Sequence, residues 1–183
     1  MLEAAGVPFE VAATELDEEA AKARLAGEGL DARALALALA ELKALHANAP
    51  AGTLVIGADQ VLEREDGSIL GKPASTDDLA GQLRSLSGNT HRLHSAAVVA
   101  EAGKPVWCRS ETAIMHVRHL PAAFIGDYVA REWDHVRWSV GGYRIEGPGV
   151  QLFERIEGSH FAILGLPLLP LLAFLRDRGL VAS

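Results

Sequence analysis

Hydrophobic positions along the chain fall into blocks of contrasting period. Residues 31–48 are rich in Ala and Leu, with Asp31 placed as a cap and Pro50 just past the end, which predicts a helix. Ahead of it, Pro8-Phe9-Glu10-Val11 reads as a short strand, and Asp17-Glu18-Glu19 suits a helix first turn. Thr53 to Ala58 is an apolar run of buried-strand length that Asp59 ends. Ser75-Thr76-Asp77-Asp78 has capping-box form and opens a helix to Leu86. His91–Glu101 and Val106–Val117 flank the turn Ala102-Gly103-Lys104-Pro105 and predict an antiparallel hairpin. Pro121 begins a helix to Trp133, Val150–Ile156 alternates as a strand, and Pro170–Asp177 forms the last helix. Intermixed helices and strands give an α/β class with a mixed sheet.

Composition narrows the class. The 183 residues, 49% hydrophobic and 22% charged, fit one soluble globular domain spanning 1–183. One cysteine, Cys108, excludes an internal disulfide framework and a four-cysteine zinc site. Seventeen basic against 24 acidic side chains give −7, which argues against nucleic acid as a partner. The opening residues lack the basic region of a secretory signal. The most apolar stretch, Phe161 to Leu175, is shorter than the roughly 18–20 residues of a spanning helix and is broken by Gly165, Pro167 and Pro170. A soluble, cytoplasmic protein with no membrane partner is expected.

Four features bear on chemistry. Asp59, directly after an apolar run, is either a metal ligand or general base at a sheet edge, or a turn aspartate. Gln60 follows it before Val61-Leu62 resumes the apolar path, so two polar residues there need partners. Gly71-Lys72-Pro73 holds a lysine in a defined turn, suited to a phosphate or simply solvated; Lys43 taken alone faces solvent on its helix. Gly141-Gly142-Tyr143-Arg144-Ile145-Glu146-Gly147 reads as a loop approaching a ligand or as an exposed hairpin loop, and Glu146 is suited to accept from a base edge. The histidines at 91 and 94, and at 116 and 119, are three apart and take opposite faces of a strand, which disfavours a shared metal. Trp107, Trp133 and Trp138 fit core or interface positions better than a base-stacking platform.

Taken in order, Ile56-Gly57-Ala58-Asp59-Gln60-Val61, Gly71-Lys72-Pro73, Leu86-Ser87-Gly88-Asn89-Thr90-His91, Tyr143-Arg144-Ile145-Glu146-Gly147 and Gly165-Leu166-Pro167-Leu168 closely resemble the Maf family of nucleoside triphosphate pyrophosphatases, once described as septum-formation inhibitors. The resemblance covers the whole chain. It implies the Maf/Ham1 fold, a mixed sheet with a deep cleft between two lobes, and a homodimer. It also implies hydrolysis of a nucleoside triphosphate to the monophosphate and pyrophosphate with a divalent metal, Mg²⁺ or Mn²⁺. By motif, Asp59 matches the proton acceptor, Lys43 and Lys72 match phosphate-neutralising lysines, and Glu18 with Asp59 matches the metal-facing acidic positions.

Gln60 and Glu146 stand where the dTTP/UTP branch carries Thr and Gln, which resembles the branch acting on 7-methyl-GTP. Guanine offers N1–H and an exocyclic amine, so a carboxylate acceptor suits it. Inosine/xanthosine or dTTP/UTP house-cleaning activity is the alternative within the enzyme class. The family opens with an apolar strand and a Ser-x-Ser-Pro-Arg-Arg loop, and Met1 aligns just past them. The expectation is a start codon assigned too far downstream; the other reading is a shortened chain that binds nucleotide, or regulates division, without turnover.

Overall fold

The computed structural model describes residues 1–14, 16–50 and 52–182, without the side chains of Glu19 and Ala26. Two helices come first, α1 (Glu18–Gly27) and α2 (Ala32–His46). Asp31 caps α2 as expected: its carboxylate accepts from the Ala34 N–H at 2.7 Å. Strands β1 (Leu54–Arg64) and β2 (Ile69–Leu70) follow, then α3 (Thr76–Leu86), β3 (Thr90–Glu101), β4 (Lys104–Val117) and α4 (Ala122–Val136). Two 3₁₀ turns, Val140–Gly142 and Pro148–Leu152, lead to β5 (Phe153–Glu157), α5 (His160–Ile163) and α6 (Leu168–Asp177). None of these helices is long and apolar enough to cross a membrane.

The strands form one sheet in the order β2-β1-β3-β4-β5. β1–β2 and β4–β5 pair antiparallel. Ala102 and Gly103, both at positive φ, make the two-residue β3–β4 turn, which also fixes an antiparallel pair. Between β1 and β3, Glu63 meets His94 while Glu65 accepts from the Thr90 N–H. The partner moves back as β1 advances, so this pair is antiparallel too. The α/β class stands, and its sheet is antiparallel in these pairings where mixed strand directions were expected.

The chain divides into two compact units. The first comprises Met1–Asp59, Ser95–Glu111 and Gly165–Ser183. Its core includes Leu35, Leu39, Val98 and Leu171. The second comprises Gln60–His94 and Thr112–Leu164. Its core gathers Leu62, Leu79, Leu83, Met115, Tyr128 and Leu152.

Several expectations change. Residues 8–11 form no strand: Phe9 and Val11 are exposed, and among the described residues the ladder contact of that region is an isolated bridge of Thr14 to Ala47. β1 does not end at Asp59 but runs on to Arg64. β5 starts at Phe153 because Pro148–Leu152 is wound into a 3₁₀ turn. The last helix begins at Leu168, with Pro170 inside its first turn, where a missing N–H costs nothing. Of the tryptophans, Trp107 stacks on Phe174, whereas Trp138 is 70% exposed beside the Arg137 guanidinium.

Candidate active site

Three charged groups from three elements of the first unit meet at one nitrogen. Lys43 Nζ, on α2, lies 2.6 Å from Asp59 Oδ1 on β1 and 3.3 Å from Glu18 Oε1 on α1. The construction is local chemistry. Asp17 accepts from the Ala20 N–H at 3.0 Å, so it serves as the cap of α1 and leaves Glu18 for the lysine. Gly57 and Asp59 share a face of β1, being two residues apart. At Gly57 the face has no side chain, and a Cβ there would sit 2.1 Å from Ala40 O and 2.5 Å from Ala44 N. The small Ala40 and Ala44, both buried, therefore seat α2 directly on the strand backbone. That close approach brings Lys43 within reach of Asp59.

The pair is largely enclosed, with 21% of the Lys43 side chain and 16% of the Asp59 side chain exposed. Burial pushes the Asp59 carboxyl above its ordinary 3.8, and the Lys43 hydrogen bond and charge, pulling the other way, do not cancel it. Burial lowers Lys43, but the Asp59 hydrogen bond and charge, with Glu18, more than reverse this and hold it above 10.5. The lysine is thus a fixed cation, and the aspartate is a more basic carboxylate than usual. Lys43 occupies one oxygen, and Asp59 Oδ2 makes no hydrogen bond among the described residues. A second cation, Lys22, acts on Asp59 as well and was missed. Its signal was available: Lys22 stands four residues after Glu18 on one helix, on the same face.

Two carboxylates facing one point are a hard oxygen donor set, and their negative charge there is met by the Lys43 ammonium. Among the described residues no group of three His, Cys, Asp or Glu could hold a metal ion. Carboxylate oxygens are the ligand type that Mg²⁺ and Mn²⁺ take, and here Glu18 Oε1 and Asp59 Oδ1 both lie on the lysine nitrogen.

The remaining expected residues lie in the second unit. Gln60 follows Asp59 but points to the opposite face of β1, where its Nε2 donates to the carbonyls of Ala162 at 2.9 Å and Ile163 at 3.1 Å. This explains why β1 tolerates both polar residues: each has a partner. Lys72 and Glu146 are exposed and form no hydrogen bond or ion pair among the described residues. The glycines around Glu146 shape its loop. Gly141 and Gly142 have φ of 76° and 64°, and a Cβ on Gly142 would lie 2.0 Å from Leu79 Cδ1. The histidines have separate tasks. His91 Nε2 bonds the Tyr143 hydroxyl at 2.6 Å, while His94 bridges Thr112 and Glu63.

The family model for Maf-like proteins matches residues 1–178. This chain belongs to the Maf family. Among curated relatives, the nucleoside triphosphate pyrophosphatase of Sphingopyxis alaskensis is 50% identical over 98% of this chain and 91% of its own length. The protein of the same name from Caulobacter vibrioides is 46% identical, covering 98% and 89%. The 7-methyl-GTP pyrophosphatase of Brucella abortus is 45% identical, covering 96% and 88%. For this Maf-family chain, Asp59, Lys43 and Glu18 are the motif-matched residues that the fold assembles on one nitrogen.

Proposed function

We propose that this chain hydrolyses a nucleoside triphosphate to the nucleoside monophosphate and pyrophosphate. The observation that carries the reading is the enclosed Asp59 carboxylate, raised in basicity, with Lys43 fixed on one of its oxygens. A base must accept a proton from water as the water oxygen attacks. Asp59 Oδ2 is the free oxygen for that proton. The water oxygen bonds to the α-phosphorus, the bond from that phosphorus to the bridging anhydride oxygen breaks, and pyrophosphate leaves with the electron pair. Lys43 keeps its charge throughout and neutralises negative charge beside the attack. Asp59 and Glu18 would hold a divalent ion, Mg²⁺ or Mn²⁺, which when bound supplies charge neutralisation and orientation of phosphate oxygens. Lys72, exposed and unpaired among the described residues, is available for the phosphate chain.

For the base, the reading is a 7-methylguanine nucleotide, taken by Glu146. The free, exposed carboxylate suits the N1–H and amine of guanine, and the Brucella relatives carry that substrate in their name. Gln60 contributes through α5, whose carbonyls occupy its amide. The test is kcat/KM with Mg²⁺ for 7-methyl-GTP, UTP, dTTP and ITP. The expectation is preference for 7-methyl-GTP, and a loss of about ten- to a hundred-fold in Glu146→Gln that falls on guanine alone. A preference for UTP, or an equal fall for every substrate, removes the base assignment. Nucleotide binding by calorimetry without turnover would remove the activity itself.

A further inference from the structure

Glu146 has no side-chain partner among the described residues, so its place is set by the backbone of its loop. That backbone is tight. The Gly147 N–H donates to Arg144 O at 3.3 Å, closing a turn around Ile145 and Glu146. Gly149 packs so closely on Arg144 that a Cβ would lie 2.6 Å from its carbonyl oxygen. A displacement of Arg144 is therefore passed to Glu146.

Helix α4 grips this loop at two points. The Tyr128 hydroxyl, buried, donates to Gly142 O at 3.1 Å. One helical turn on, Glu132 is a buried carboxylate whose oxygen lies 3.9 Å from the Arg144 guanidinium. Tyr128 also feels both of these charges. The Arg144 Nε is buried with no hydrogen bond among the described residues, and Glu132 supplies a counter-charge to its guanidinium. This charge contact and the Tyr128 hydrogen bond both run from α4 to the loop.

We propose that Tyr128 and Glu132 are positioning residues for base recognition, holding Gly142 and Arg144 so that Glu146 stands where a guanine edge can be read. This rests on Glu146 as the base reader. The two residues touch no substrate and act through the loop.

The test measures kcat and KM for 7-methyl-GTP and UTP on the full chain. The variants are Tyr128→Phe, Glu132→Gln, Glu146→Gln and each α4 change combined with Glu146→Gln, with thermal unfolding recorded for all. Each α4 variant should lower the preference for 7-methyl-GTP over UTP by about three- to ten-fold, mainly through KM. Turnover of UTP should hold. In the Glu146→Gln background neither should lower the preference further, because the group they position is gone. An unchanged preference, a uniform loss for both substrates, or a loss that adds to that of Glu146→Gln overturns the proposal. Tyr128→Phe keeps the ring and removes one oxygen, so it decides the matter if Glu132→Gln fails to fold. Where Glu146→Gln shifts the preference and the α4 variants do not, only the positioning role falls. Where Glu146→Gln itself leaves the preference unchanged, the base reading falls.

Discussion

Gly57→Ala probes how the candidate site is built. The added Cβ would meet Ala40 O at 2.1 Å and Ala44 N at 2.5 Å, both backbone atoms of α2. No side-chain rotation relieves this, so α2 must withdraw by about 1 Å to reach the closest contacts that real side chains show. Overpacking of this kind costs about 1–3 kcal/mol. The same withdrawal carries Lys43 away from Asp59, now at 2.6 Å. Misplacing a catalytic group by about 1 Å can cost roughly a hundred-fold in rate. The assay pairs thermal or urea unfolding with pyrophosphate release. Gly81→Ala in α3 is the control: its Cβ would meet nothing within 4 Å, and Ala is favoured over Gly in a helix by up to about 1 kcal/mol. Gly57→Ala should lose both stability and turnover, and Gly81→Ala should lose neither. If Gly57→Ala matched the parent in both measurements, α2 would not rest on β1 as described.

Further outcomes follow from the electrostatics and the hydrogen bonds. Lys43→Met removes the hydrogen bond and the nearer of the two charges that hold the Asp59 pKa down, so the acid limb of kcat/KM should move to higher pH; a shift to lower pH would contradict the pairing. His91 is held neutral by burial, its pKa lowered from 6.5 to about 4. Because the unfolded chain takes up this proton first, stability should fall as pH drops from 6.5 towards 4, by about 1.4 kcal/mol per unit. Above 6.5 the group should have no effect, and His91→Gln should flatten the difference in unfolding curves; an unchanged slope in that variant would rule His91 out as its source. Gln60→Ala leaves the Ala162 and Ile163 carbonyls without that donor and should cost about 1–3 kcal/mol by urea unfolding, whereas no loss would mean the tether carries no weight.

The elements that were legible in the sequence are those whose signals are local. The α2 cap at Asp31 and the Ser75 Oγ acceptance from the Asp78 N–H need only neighbouring residues. The β3–β4 hairpin was visible for the same reason. Distance in sequence hid the rest. β1 continues through Asp59 and Gln60 because one finds Lys43, 16 residues away, and the other finds Ala162, 102 away. Residues 8–11 have strand-like composition but no partner strand, and a lone extended segment has no ladder to join. Lys43 reads as solvent-facing on its helix, and only the bare backbone at Gly57 shows why it turns inward. At the candidate site, the motifs singled out Glu18, Lys43 and Asp59 one by one. The contact of Glu18, Lys43 and Asp59 is a property of three elements meeting, which periodicity does not encode.

The proposed role of Asp59 as the base of a pyrophosphate-releasing hydrolase is tested by its product balance. The chain and its Asp59→Asn variant are incubated with Mg²⁺ and 7-methyl-GTP, and the monophosphate, pyrophosphate and orthophosphate are quantified. The parent chain should release one pyrophosphate per monophosphate. Turnover by the variant should fall at least about a hundred-fold, with its folded circular-dichroism signal intact. Turnover by Asp59→Asn at the parent rate, or release of orthophosphate as the primary product, would contradict it.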